Sequence, residues 1–168
     1  ADVLVPTLVN QDGAVLSPFY YSSKRGPFYK VTRQSLDSRS TVVLPDIQLS
    51  SFNSACALRV SILEQLGGFP SRYPMDYLDY WLFDALHRCG AKVNILSCRL
   101  CHLLSIMDYA HVSRARYVRI LEAEHQFAVE GSWRWRLYYR LRLAMRVIKW
   151  MLTGHAYVLE TTKQLFSK

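Results

Sequence analysis

Two short clusters in this chain carry side chains able to do chemistry. In the first, Asp76 and Asp79 stand three positions apart at the start of a run with helical spacing. Carboxylates an i,i+3 step apart share one side of a helix. Asp79 also falls on the stripe of Leu82, Phe83 and Leu86, which turns it inward or into a cleft. A carboxylate placed there can take a proton from a hydroxyl nucleophile. The same pair reads equally as a helix start, with Asp76 as N-cap and Asp79 as the acid of the first turn, both favoured by the helix dipole. The two readings are compatible, one residue capping while the other does chemistry.

The second cluster is Cys98-Arg99-Leu100-Cys101-His102, which has the spacing of c-type haem attachment. It follows an apolar, strand-like run, and no export signal accompanies it. No second paired spacing builds a zinc site around Cys89 or the other histidines. Cys98 and Cys101 are therefore expected to be reduced residues of or near a strand. His102 stands just after the strand end, before Leu103-Leu104-Ser105, a position suited to a site. The chain has no Gly-rich phosphate loop and no Asp-x-Asp.

The elements that must position these residues follow from spacing. Val3 to Val9, interrupted by Pro6, reads as an edge strand or extended arm, and Ala14 to Phe19 as a short extended segment. Tyr20 to Ser40 reads as an exposed, mobile loop, rich in Ser, Lys, Arg and Gly. Thr41 to Leu44 and Ile47 to Phe52 are short strand candidates. Helices are predicted over 58–66, ended by Gly67-Gly68, and over 77–89, with Leu78, Leu82, Ala85, Leu86 and Cys89 as its buried stripe. A strand follows over 93–100. Helices are then predicted over about 113–129, 132–152 and 155–166. In the middle one Leu137, Leu141, Ala144, Ile148 and Leu152 form one face, and the basic residues lie mostly on the other.

The 168 residues make one domain or part of one, about half apolar and a fifth charged, which excludes overall disorder. The net charge of +8 is local: Arg134, Arg136, Arg140, Arg142, Arg146 and Lys149 cluster without an acid. That asks for an anionic partner. With Trp133, Trp135 and Trp150, the 132–152 segment reads as an interfacial helix on anionic membrane or as an ordinary solvated face. No nucleic-acid motif accompanies it, so nucleic acid is not expected as a partner. No run reaches the roughly 18 apolar residues that span a bilayer. Ala1-Asp2-Val3 does not open like a signal peptide, and the missing Met suggests a fragment or a processed chain. Four cysteines are too few for a disulfide scaffold and fit a reducing, cytoplasmic setting, at most peripheral to the inner face of a membrane.

Residues 67 to 102 as a whole resemble the acceptor-side half of a family 2 glycosyltransferase of the GT-A type. Gly67-Gly68-Phe69 resembles that family's turn. Asp76-Tyr77-Leu78-Asp79 matches the acidic motif of its rhamnosyltransferase-like members. Asp79 lies eleven residues before Gly90, and His102 matches the family histidine. The similarity extends over about Ala1 to Tyr117. It includes Asp2-Val-Leu-Val-Pro6, Gly13, Ser17-Pro18 and Phe52-Asn53-Ser54-Ala55, and is closest from Phe52 to Ser105. Trp81 stands where many members have an acid, and Ala85 where an Arg is common.

The resemblance implies an α/β fold: residues 1–111 as the C-terminal part of a GT-A catalytic domain, 112–168 as a basic helical extension. It implies inverting transfer of a sugar from a nucleotide-diphosphate sugar to a polysaccharide or lipid-linked glycan acceptor, as in cell-envelope polysaccharide synthesis. Asp79 is then the catalytic base and Asp76 shapes its helix terminus. Asn53, Ser54, Trp81 and His102 meet substrate. A divalent metal, Mg or Mn, is expected in the full-length enzyme, with His102 as a ligand, and is not required by this fragment. The metal-binding Asp-x-Asp and the nucleotide pocket of the family would lie before Ala1, so the fragment alone is expected to be inactive. The competing reading is a non-enzymatic module that binds membrane or a partner through helix 132–152, with Asp79 as a cap.

Overall fold

A computed structural model describes residues 1–31, 47–103, 113–153, 159–160 and 162–163. The chain is mixed α/β. Its strands are β1 (Val3–Val9), β2 (Val15–Ser17), β3 (Phe19–Ser22), β4 (Gly26–Val31), β5 (Ile47–Ser50), β6 (Ala57–Leu58) and β7 (Val93–Cys101). Its helices are α1 (Val60–Gln65), α2 (Leu78–Arg88), α3 (Arg114–Glu130) and α4 (Trp133–Thr153). The predicted strand over Thr41 to Leu44 and the 111/112 boundary lie outside the described residues. Of the predicted 155–166 helix only four residues are described, all helical.

Far from being an edge strand, β1 is the centre of the first sheet. It pairs in parallel with β7 on one side, and antiparallel with β2 and β6 on the other. Pro6 is tolerated because the ladder breaks around it. On that side Val5 pairs with Ile95 but Thr7 with Arg99, so β7 bulges past the residue that has no N–H to give. Val3, Val5 and Leu8 point into the core.

The second sheet, β4-β3-β5, occupies part of what the sequence suggested was a loop. Polar composition misled there: Tyr21 is fully buried, and its neighbours make antiparallel ladders on both sides. Residues 32–40 of that predicted loop lie outside the described residues. Gly26 is needed where it stands. Its φ is +71°, and a Cβ there would come within 2.7 Å of the Trp135 ring.

Helix α2 packs beside β5, with Leu82, Phe83 and Leu86 completely buried in a core shared with Val3 and Val5 of β1 and Tyr21 of β3. The apolar residues repeat at helical spacing, and the helix ends in a left-handed Gly90 while Ala91 N–H closes on the Leu86 carbonyl at 3.0 Å. Phe127 of α3 and Trp135 of α4 stack at 5.5 Å and enter this same core. Ser113 caps α3 by accepting from Arg116 N–H. Tyr117, Leu121 and Ala128 of α3 meet Tyr139 and Leu143 of α4 in a smaller second core.

The α4 face that packs is not the face the spacing suggested. Trp135, Tyr139 and Leu143 are buried, while Leu137, Leu141, Ile148 and Leu152 are exposed. The arginines are not all on a solvated face either. Arg146 donates to buried Glu124 at 2.7 and 3.1 Å, and Arg142 stands 3.8 Å from it.

Candidate active site

Strands β1 and β7 run in parallel and end together, His102 N–H donating to the Val9 carbonyl at 2.8 Å. Ligands of α/β sheets gather outside the carboxyl ends of parallel strands, and the sequence-derived residues meet at this rim. The segment 51–56 crosses it. The buried hydroxyls of Ser17 and Ser51 share a 2.6 Å hydrogen bond, and Phe52 N–H donates to Ser17 Oγ at 2.9 Å. The segment then turns, Cys56 N–H closing on the Asn53 carbonyl at 3.0 Å. Two contacts leave this turn for the candidate side chains. Asn53 N–H donates to Asp79 Oδ1 at 2.8 Å, and Ser54 Oγ lies 3.4 Å from His102 Nε2. Asp79, Asn53, Ser54 and His102 are thus brought together from three elements.

The backbone is strained at this place. Among the described residues, the non-glycine positions with positive φ are Ala55, at 59°, and Tyr77, at 65°. Each costs on the order of 1–3 kcal/mol, and such strain collects at working sites. Ala55 is in the turn that holds Asp79, and Tyr77 is the residue from which α2 starts.

Asp79 is a half-buried carboxylate. Burial pushes its pKa up from 3.8 to about 6. The Asn53 hydrogen bond works against that, Asp76 adds to it and His102 opposes it. No Lys or Arg side chain pairs with Asp79 among the described residues. A carboxyl with a pKa near 6 is ionised at neutral pH yet takes up a proton readily, as a general base must. Cys56, on the same turn, is a different case. Burial raises its thiol to about 11, and it donates to the Phe52 carbonyl at 3.0 Å, so it braces the turn as a neutral thiol.

The other predicted site residues lie elsewhere. Asp76 does not cap α2: the N-cap position belongs to Tyr77, whose side chain makes no cap bond. Asp76 Oδ1 instead accepts from Arg116 at 3.3 Å and ties the start of α2 to α3. Trp81 is buried on the core side, because two residues along a helix turn the side chain by about 200°. It lines a cavity of about 440 Å³ with Phe127 and Trp135, where Arg72 pairs with Glu130 and Arg88 with Asp84. Cys98 and Cys101 are exposed, free thiols on β7.

For a divalent metal the described residues offer His102, and no group of three or more His, Cys, Asp or Glu side chains converges among them. They do not make a metal site by themselves, and no step is derived through one. Ser17 and Ser51 left no sequence signal as positioning residues. Two serines far apart in the chain have no mutual spacing to read, although Ser51 falls within the predicted strand over Ile47 to Phe52. No family model, curated protein or solved structure matches the chain.

Proposed function

We propose that the chain serves inverting sugar transfer, with Asp79 as general base. An acceptor hydroxyl lies against the Asp79 carboxylate and gives up its proton as its oxygen attacks the anomeric carbon of a nucleotide-diphosphate sugar. The bond from that carbon to the diphosphate breaks, and the nucleoside diphosphate leaves with the electron pair. Asn53 N–H fixes one carboxylate oxygen, so the other is oriented for the acceptor. Ser54 and His102 form the adjoining wall.

The observation that carries the reading is the half-buried Asp79, its pKa raised by burial and its carboxylate held by a backbone N–H from a strained turn. The resemblance of residues 67–102 to family 2 glycosyltransferases supplies the reaction class. A non-enzymatic module with Asp79 as a helix cap accounts for less. Asp79 caps nothing and reaches across to residue 53.

The test uses the complete product of the gene, offered a panel of nucleotide-diphosphate sugars and polyprenyl-linked or polysaccharide acceptors. Release of nucleoside diphosphate is the readout. Asp79→Asn is expected to lower turnover by about 10²–10⁴-fold, the usual weight of a general base, while calorimetric donor binding stays near wild type. Unchanged turnover in Asp79→Asn would remove the base role.

A further inference from the structure

Helix α4 has two apolar faces, and only one is packed among the described residues. Trp135, Tyr139 and Leu143 are packed inward. At about 100° per residue, Trp133, Leu137, Leu141, Met145, Ile148 and Leu152 fall within an arc of about 120° on the opposite side. All six are exposed, from 48% at Leu137 to 83% at Leu152. Seven of the sixteen exposed large apolar side chains of the described residues sit on this one helix, which is beyond the scattered exposure of an ordinary surface.

The charges around the stripe say what covers it. Arg136 and Arg140 lie along one border and Lys149 along the other, while Arg134 stands over the Trp133 ring at 5.3 Å. Arg134, Arg136 and Arg140 have no carboxylate partner among the described residues, and α4 contains no acid. A second copy seated here would bring two sets of unpaired cations together. Nucleic acid would leave the aliphatic centre with nothing to bind. A bilayer satisfies both parts: the apolar arc enters the acyl boundary, the flanking arginines meet lipid phosphates, and Trp133 suits the headgroup level.

We infer that α4 lies in the surface of an anionic membrane, docked through the Trp133–Leu152 stripe with its opposite face still packed on α3. The helix does not cross: no helix among the described residues is long and apolar enough to do so. This docking holds whether or not Asp79 is a base.

The test is cosedimentation of the chain with phosphatidylcholine vesicles, with and without phosphatidylserine, at about 0.1 M and about 0.5 M salt. Binding is expected to the anionic vesicles and to weaken with salt as charges are screened. Arg136→Ala and Arg140→Ala should each weaken it about fivefold. Leu141→Glu with Ile148→Glu should abolish it. Those side chains are exposed, so circular dichroism and melting should be unchanged. The arginine variants and the salt series test the docking without relying on that double variant. Absence of binding to both vesicle types, or equal binding to both, would overturn the inference. So would a dimer in solution that Ile148→Glu converts to monomer while vesicle binding persists.

Discussion

Glu124 and Asp79 are both shielded from water, the first almost wholly and the second in part, and their surroundings differ. Glu124 is only 2% exposed and is held by two bonds from Arg146, with Arg142 beyond. Although burial opposes it, the charge and hydrogen bonds of Glu124 keep Arg146 firmly protonated. Asp79 receives one backbone N–H and, among the described residues, no Lys or Arg partner, and its pKa rises to about 6. A buried charge that is fully paired is fixed in one state and serves architecture. A buried charge left short of a partner can change state within the physiological range and serve chemistry.

The comparison breaks most visibly at Glu124. Glu124→Ala should destabilise the fold by about 3–5 kcal/mol, because Arg146 is left buried without its counter-charge. Urea unfolding followed by circular dichroism measures this. A loss under about 1 kcal/mol would mean the pair behaves like a surface bridge. Asp79→Asn should do the reverse, costing turnover and not the fold.

The sign of the pH dependence sharpens the contrast. The folded chain keeps the Asp79 proton to about pH 6, whereas the unfolded chain releases it near 3.8. Asp79 therefore makes stability fall as pH rises between about 4 and about 6. Comparing wild type with Asp79→Asn across that range by chemical denaturation isolates the effect, since the variant should lose this slope. A smaller effect is expected at the turn. Ser51→Ala leaves Ser17 short of its buried partner and should cost about 1–3 kcal/mol, and under the proposed function it should lower turnover by loosening Asn53. Ala55→Gly should change stability by about 1 kcal/mol or less, since relief of the left-handed strain offsets added chain entropy. A large loss of stability in Ala55→Gly would show that the side chain of residue 55 itself packs.

Periodicity made the helices of this chain legible. Leu82 and Leu86 mark α2, and Gly90 its end, because burial of one helical face leaves a local signature. Asp79, Asn53, Ser54 and His102 were legible as candidates by type and order, and they converge. What stayed hidden is non-local. Pro6 argued for an edge, but a bulge in a distant strand absorbs it. The face α4 packs could not be read because both of its faces are apolar, and the positions of α3 and β4 decide between them. Trp81 lies next to the motif in sequence and faces away from it in space.

Asp79 is a half-buried carboxylate that no Lys or Arg pairs among the described residues, and burial raises its pKa so that it can take up a proton near neutral pH. Carbon-13 NMR of the aspartate side-chain carboxyls, titrated with Asp79→Asn as the assignment control, measures this directly. One carboxyl is expected to titrate near pH 6 and to vanish in the variant. An Asp79 carboxyl titrating at its ordinary value near 3.8 would contradict it.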